Sequence, residues 1–231
     1  SFPSVIVEFD DISQSLIIDP KFASPGDVDT LLSLVFIENH NYILGDYVLY
    51  ENNNVPISGL IDHQKYFIIP FDVDRFYLAE TEIDIRIGSQ NPISLDSAGV
   101  GEHKFSKVNP QINITTDHDV LFDIQSPTLQ NRELKFFYDQ ALTEIFENNG
   151  IDPVFVVSGV GSEGTIGATK TIKYSANNPG VIYYGIESGG YISTADTNAI
   201  SYSTISDVNS VYSTNGTVTV ENDSIFSISL T

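Results

Sequence analysis

The stretch GDYVLYENNNVPISGLIDHQKYFIIPFDVDRFYLAETEIDIRIGSQNPISLDSAGVGEHKF, residues 45–105, decides the fold class. Apolar and aromatic runs of strand length are cut by turn-forming residues at 52–54, at Ser58 and Gly59, at Asp72, and at 90–92 and 99–101. That punctuation predicts short strands closing on themselves. Residues 65–70 and 75–78 read as a hairpin around Asp72 and Asp74. Tyr47 and Leu49 alternate with Val48 and Tyr50, so either face of that strand can be the buried one. Residues 82–87 alternate Ile83, Ile85 and Ile87 against Glu82, Asp84 and Arg86, the pattern of a strand with one buried and one solvated face.

Working outward, residues 5–9, 16–18, 31–37 and 42–44 supply further apolar runs before this stretch. Residues 107–113 read as a boundary, because Pro110 removes a backbone donor and stiffens the chain. Beyond it lie evenly spaced runs at 120–124, 134–138, 154–157, 165–174, 181–186, 204–212, 217–220 and 224–230. Turn signals divide them, and seven or eight strands at this interval predict an immunoglobulin-like sandwich. Residues 139–148 are the one helix candidate, with Leu142, Ile145 and Phe146 on one face and Asn149 and Gly150 as a stop; a single turn bridging two strands is the other reading. The expected fold is therefore all-β with two tandem domains. Residues 1–108 form a small β-barrel or sandwich, and residues 111–231 an immunoglobulin-like β-sandwich.

Composition limits function. The 231 residues carry 10 basic and 31 acidic side chains, a formal charge of −21. Residues 1–110 hold six basic and 17 acidic groups, and residues 111–231 hold four and 14, so the charge is spread rather than confined to a tail. Phosphate binding needs clustered Lys and Arg, so nucleic acid is excluded as a partner, and an anionic membrane surface is disfavoured likewise. No apolar run reaches membrane-spanning length. Cys is absent, which removes disulfides and thiolate metal sites. Met is absent even at position 1, and the chain reads as a processed product or a piece of something longer.

No motif points to catalysis. His40, His63, His103 and His118 lie far apart with no paired spacing, and read as turn or partly buried histidines rather than metal ligands. Asp27 with Asp29, Asp72 with Asp74 and Asp117 with Asp119 lack the glycine and distal Glu of a calcium loop, and read as turn caps. The run GVGSEG at 159–164 matches G-x-G-x-x-G, but a strand pattern follows it, so it reads as a hairpin loop. With so many acids, a pair at glycosidase spacing carries no information. The expectation is a non-enzyme with no cofactor and no metal. Tyr183, Tyr184, Tyr191, Tyr202 and Tyr212 are the candidate interaction surface, since exposed aromatics contact partners or glycans. Burial in the sandwich core is their other fate.

NHNY at 39–42, GDYVLY at 45–50, GL at 59–60, KYFII at 65–69, DRFYLA at 74–79 and SAGVGEHKF at 97–105 resemble a module that runs NHGF, GD-V-Y, GL, YYVI, D-N-x-I-K-L-A, G-x-G-x-H-x-F. VLFDI at 120–124, SPTL at 126–129, LKFFY at 134–138, PGVIYY at 179–184 and VYS at 211–213 are similar to the block that follows it. Both occur in large virion proteins of tailed bacteriophages, notably contractile-tailed cyanophages, and the first module also in some bacterial surface proteins. The chain departs from the module where Asn41 stands in place of its glycine, so that loop is expected to be shaped differently. The resemblance implies a structural component of a phage tail, baseplate or fibre in an extracellular particle. It would assemble with other virion proteins or with copies of itself. The alternative is a host-receptor or carbohydrate-binding module that meets a host surface glycan.

Overall fold

The computed structural model describes residues 4–115, 118–146, 155–174, 180–193, 199–203, 217–221 and 225–229. The protein is all-β. The strands are β1 (Ser4–Asp10), β2 (Ser15–Ala23), β3 (Val28–Asp29), β4 (Leu34–Phe36), β5 (Tyr47–Asn52), β6 (Gln64–Pro70), β7 (Arg75–Ala79), β8 (His103–Val108) and β9 (Ile112–Thr115). They continue as β10 (Val120–Asp123), β11 (Arg132–Phe137), β12 (Phe155–Val160), β13 (Thr169–Tyr174), β14 (Gly180–Ser188), β15 (Tyr191–Ser193), β16 (Ala199–Ser203), β17 (Thr217–Glu221) and β18 (Ile225–Ser229).

Two sheets carry the architecture. One has 11 strands in the order β12-β13-β10-β1-β2-β8-β5-β6-β7-β4-β3, and the other runs β11-β14-β16-β9 with β15 beside β14. β17 and β18 pair as a separate hairpin. Among the described residues the 11-strand path is open at both ends, and the first half does not close into a barrel.

The strand order of the second half follows from its hairpins. β10 pairs β13, and β13 pairs β12; on the other sheet β11 pairs β14, and β14 pairs β16, all antiparallel. β9 joins β16 in parallel. This is the immunoglobulin arrangement, with β10, β13 and β12 in the places of strands B, E and D, and β11, β14 and β16 in those of C, F and G. The place of strand A beside β10 is taken by β1, from the far end of the chain. It runs parallel to β10, with Ser4, Val5 and Ile6 opposite Leu121, Phe122 and Asp123. Its alternation sends Val5, Val7 and Phe9 inward.

The hydrophobic cores reflect that exchange. One is built from Val5, Val7 and Phe9 of β1 and Leu16 and Ile18 of β2 together with Phe122, Phe136, Ile172, Tyr184 and Ile200 of the sandwich. The other gathers Val35, Tyr42, Val48, Tyr50, Tyr66, Ile68, Phe76, Leu78 and Phe105. The change of core therefore falls within β2, well before the sequence boundary at 107–113. On β5, Val48 and Tyr50 face this second core, while Leu49 is fully buried on the opposite face.

The expected hairpin at 65–78 forms as β6 and β7. One local expectation fails and another resolves to its alternative. Residues 82–87 are not a strand: Glu82–Ile85 is a 3-10 turn, opened by Thr81 and Asp84, whose carboxylate accepts the Thr81 hydroxyl and backbone N–H. Ile83 and Ile87 are 63% and 89% exposed. The alternation was real, but no neighbouring edge offers residues 82–87 a ladder. Residues 139–146 form turns, the other reading of 139–148, and 147–148 lie outside the described residues. The Asp139 carboxylate accepts the backbone N–H of Thr143 and Glu144, and Ile145 bridges back to Phe137. The apolar run at 204–212 lies outside the described residues.

This packing yields a paired expectation for urea unfolding. Phe122→Ala empties a fully buried site and is expected to cost about 3–5 kcal/mol. Ile83→Ser changes an exposed turn and is expected to stay within about 0.5 kcal/mol of wild type. A large loss at Ile83 would restore the strand reading of residues 82–87.

Candidate functional site

The residues that looked most like a signature are architectural. His103 is fully buried. Its Nε2–H donates to the Ala98 carbonyl at 2.8 Å, which leaves Nδ1 to accept the Tyr50 hydroxyl at 2.9 Å. Tyr50 in turn accepts the Ile57 N–H at 2.9 Å. The two glycines before His103 are required by this geometry. Gly99 has φ +68, and a Cβ there would lie 2.5 Å from the Val55 carbonyl oxygen; Gly101 has φ +91 and faces the Asn53 side chain. Phe105 completes the stretch by packing against Tyr50 and Phe76.

The loop at 39–42 is organised the same way. His40 is buried, accepts the Tyr42 N–H at Nδ1 (2.8 Å) and donates from Nε2 to the Asp72 carbonyl (3.0 Å). Asn41 takes φ 57, the left-handed conformation that a glycine would supply and that Asn tolerates. Asp27, Asp29 and Asp72 cap turns as expected, while Asp117 lies outside the described residues. Asp72 accepts the N–H of Asp74 and Arg75 and pairs with the Arg75 guanidinium, while Asp29 accepts Leu31 and Leu32. The run at 159–164 covers the last two residues of β12 and the start of its connection to β13.

The five tyrosines do not form a described surface. Tyr184 is fully buried in the sandwich core, where its hydroxyl donates to the Pro110 carbonyl at 2.5 Å and burial raises its pKa well above the usual value. It is therefore withdrawn from any interaction surface: period-two alternation along β14 turns it inward and its neighbour Tyr183 outward. Tyr183 is half-buried, opposite Phe137 and Ala199. Tyr191 and Tyr202 lie on β15 and β16, but their side chains are outside the described set, as is all of Tyr212.

The exposed apolar groups are elsewhere. Ile85 packs toward Gly45, and next to this contact Ile43, Leu44, Ile83 and Ile87 are exposed. Phe71 is half-exposed at the turn between β6 and β7, with Arg75 stacked 4.7 Å over its ring. On the sandwich, Gln130, Asn131, Arg132, Lys135, Ser162 and Glu163 line an open polar groove of about 530 Å³. Ion pairs Lys135–Glu187 and Lys170–Glu163 neutralise the charges beside it.

A second cluster was invisible in the sequence because its members are distant. Asp10 at the end of β1, Glu51 on β5 and His63 before β6 place their donor atoms within 4.8 Å of one another. Burial pushes the Asp10 carboxyl up, but hydrogen bonding from Ser13 and the nearby His63 outweigh it and hold the carboxyl below its ordinary value. Lys104 lies alongside, 2.5 Å from Glu8 and 2.9 Å from Glu51. No helix among the described residues is long and apolar enough to cross a membrane.

No family model, no curated protein and no solved structure matches the chain.

His103 gives this region a pH signature. Burial lowers its pKa below the ordinary histidine value, and the bond to Ala98 offsets this only in part. The unfolded chain therefore takes up the proton first, at about pH 6.5. Stability is expected to be full above that pH and to fall on acidification below it. His103→Gln should flatten this part of the profile in urea melts at pH 5–8; an unchanged slope in the variant would contradict the assignment.

Proposed function

We propose that this chain is a structural component of a bacteriophage tail, baseplate or fibre, acting through protein–protein assembly. The observation that carries the reading is the pairing of β1 with β10, which joins the two halves through one continuous 11-strand sheet. A particle component transmits load between its neighbours, and a ladder of backbone hydrogen bonds across the joint resists bending better than a linker does. The joint is reinforced at the end of β1. There the Phe9 N–H donates to the Thr128 hydroxyl at 3.0 Å, Arg132 stacks 4.7 Å over the Phe9 ring, and Arg132 pairs with Asp11. The sequence resemblance to cyanophage virion modules supplies the biological setting. The buried roles of His40, His103 and the two glycines explain that signature by packing alone, without a reaction.

Neighbours would dock on the edges at β3 and β12, open among the described residues, and on the exposed aliphatic group around Ile83 and Ile87. A second reading, a carbohydrate-binding module for host glycans, is favoured by the open polar groove beside Gln130, Asn131 and Ser162. Tyr184 no longer supports it.

The two readings separate experimentally. If the chain is a structural component, its peptides appear in density-purified virions at a fixed ratio to tail proteins, and its density is found in the tail by cryo-electron microscopy. Absence from purified particles would overturn that. If it is a glycan module, a glycan array gives saturable binding that Asn131→Ala and Gln130→Ala abolish; an array without signal would remove this reading.

A further inference from the structure

We propose that Asp10, Glu51 and His63 form a binding site for a divalent transition metal of the zinc class. The site goes beyond the assembly reading and neither requires it nor follows from it. The donor set is mixed, two carboxylates and one imidazole, and comes from three separate parts of the first half and its joint: the end of β1, β5, and the turn leading into β6. Oxygen and imidazole ligands of this kind suit zinc and its neighbours in the series, and three protein ligands leave a fourth position open.

The geometry lies close to what an ion needs. Bonds of about 2.0–2.2 Å set ligand atoms roughly 3–4 Å apart. Asp10 Oδ1 and His63 Nδ1 are 2.8 Å apart, and all three donors lie within 4.8 Å of each other, so small side-chain rotations suffice. Asp10 is buried and its other oxygen is held by the Ser13 N–H at 2.6 Å, which fixes the carboxylate in place.

An independent feature is the surrounding shell. Asp62 Oδ1 accepts the Asn52 N–H at 2.8 Å, which anchors that carboxylate, and its Oδ2 lies 3.6 Å from His63 Nε2. A metal on Nδ1 would leave Nε2–H facing Asp62, which would have to close up from 3.6 Å to form the carboxylate–histidine relay that orients metal-bound imidazoles. A cavity of about 190 Å³ lined by Glu51, His63, Asn52 and Lys104 opens beside the donors and gives access for the ion and its remaining water. Lys104 is the competing cation. It keeps Glu8 as a partner when Glu51 turns to the metal, so its ammonium is not stranded.

The test uses the full chain stripped of metal by chelator. Zn²⁺ is titrated by calorimetry, and Co²⁺ by visible absorption with Zn²⁺ displacement. One saturable equivalent is expected. His63→Ala and Glu51→Gln should each remove it while leaving the thermal melt of the metal-free protein cooperative. Asp62→Asn should weaken it by about tenfold. His118→Ala, remote in sequence and hydrogen-bonded to Thr115, should leave it unchanged. Absence of saturable binding, or a site that survives both His63→Ala and Glu51→Gln, would overturn the proposal. So would a site lost only in His118→Ala.

Discussion

The parallel pairing of β1 with β10 is the constraint on which the rest of the structure depends. A sandwich of this order leaves the edge of its B strand open unless something covers it, and an open edge exposes unpaired backbone groups. Here the N-terminal strand fills that place and inserts Val5, Val7 and Phe9 into the sandwich core. β2 then turns back, pairs with β8 and carries the sheet into the first half. Because one hairpin serves both halves, neither core is complete without the segment that also belongs to the other.

Within the first half, specificity comes from buried polar groups that are satisfied. His40 and His103 each have both ring nitrogens engaged, and each neutral tautomer is set by a backbone carbonyl at Nε2. Tyr42 and Tyr50 are aromatic core residues whose hydroxyls reach the Phe105 carbonyl and His103. A network of this kind costs little when complete and much when broken, so it fixes one packing among several that apolar residues alone would permit. The absence of a side chain at Gly99 and Gly101 lets the backbone approach closely enough to close it.

Legibility in the sequence followed the range of the interaction. Hairpins set by adjacent runs and a short turn were readable, as β6 with β7 and β12 with β13 show. Turn-capping aspartates were readable for the same reason. What failed was long-range. The run at 5–9 looked like an ordinary first strand, and nothing in its residues says that its partner lies more than a hundred positions away. Residues 82–87 alternate, but a strand exists only where an edge accepts it. Tyr183 and Tyr184 could not both face outward on one strand, and packing decided which turned in. Asp10, Glu51 and His63 share no spacing at all; only the sheet order brings them together. At Asn41 the missing glycine predicts a reshaped loop, yet Asn itself takes the left-handed conformation with φ 57.

The most direct measurement is the set of interstrand proton contacts between residues 4–6 and 121–123 by nuclear magnetic resonance. Backbone contacts in parallel register are expected, with Val5 opposite Phe122. Contacts in antiparallel register, or a segment 4–10 that touches only β2, would contradict this pairing.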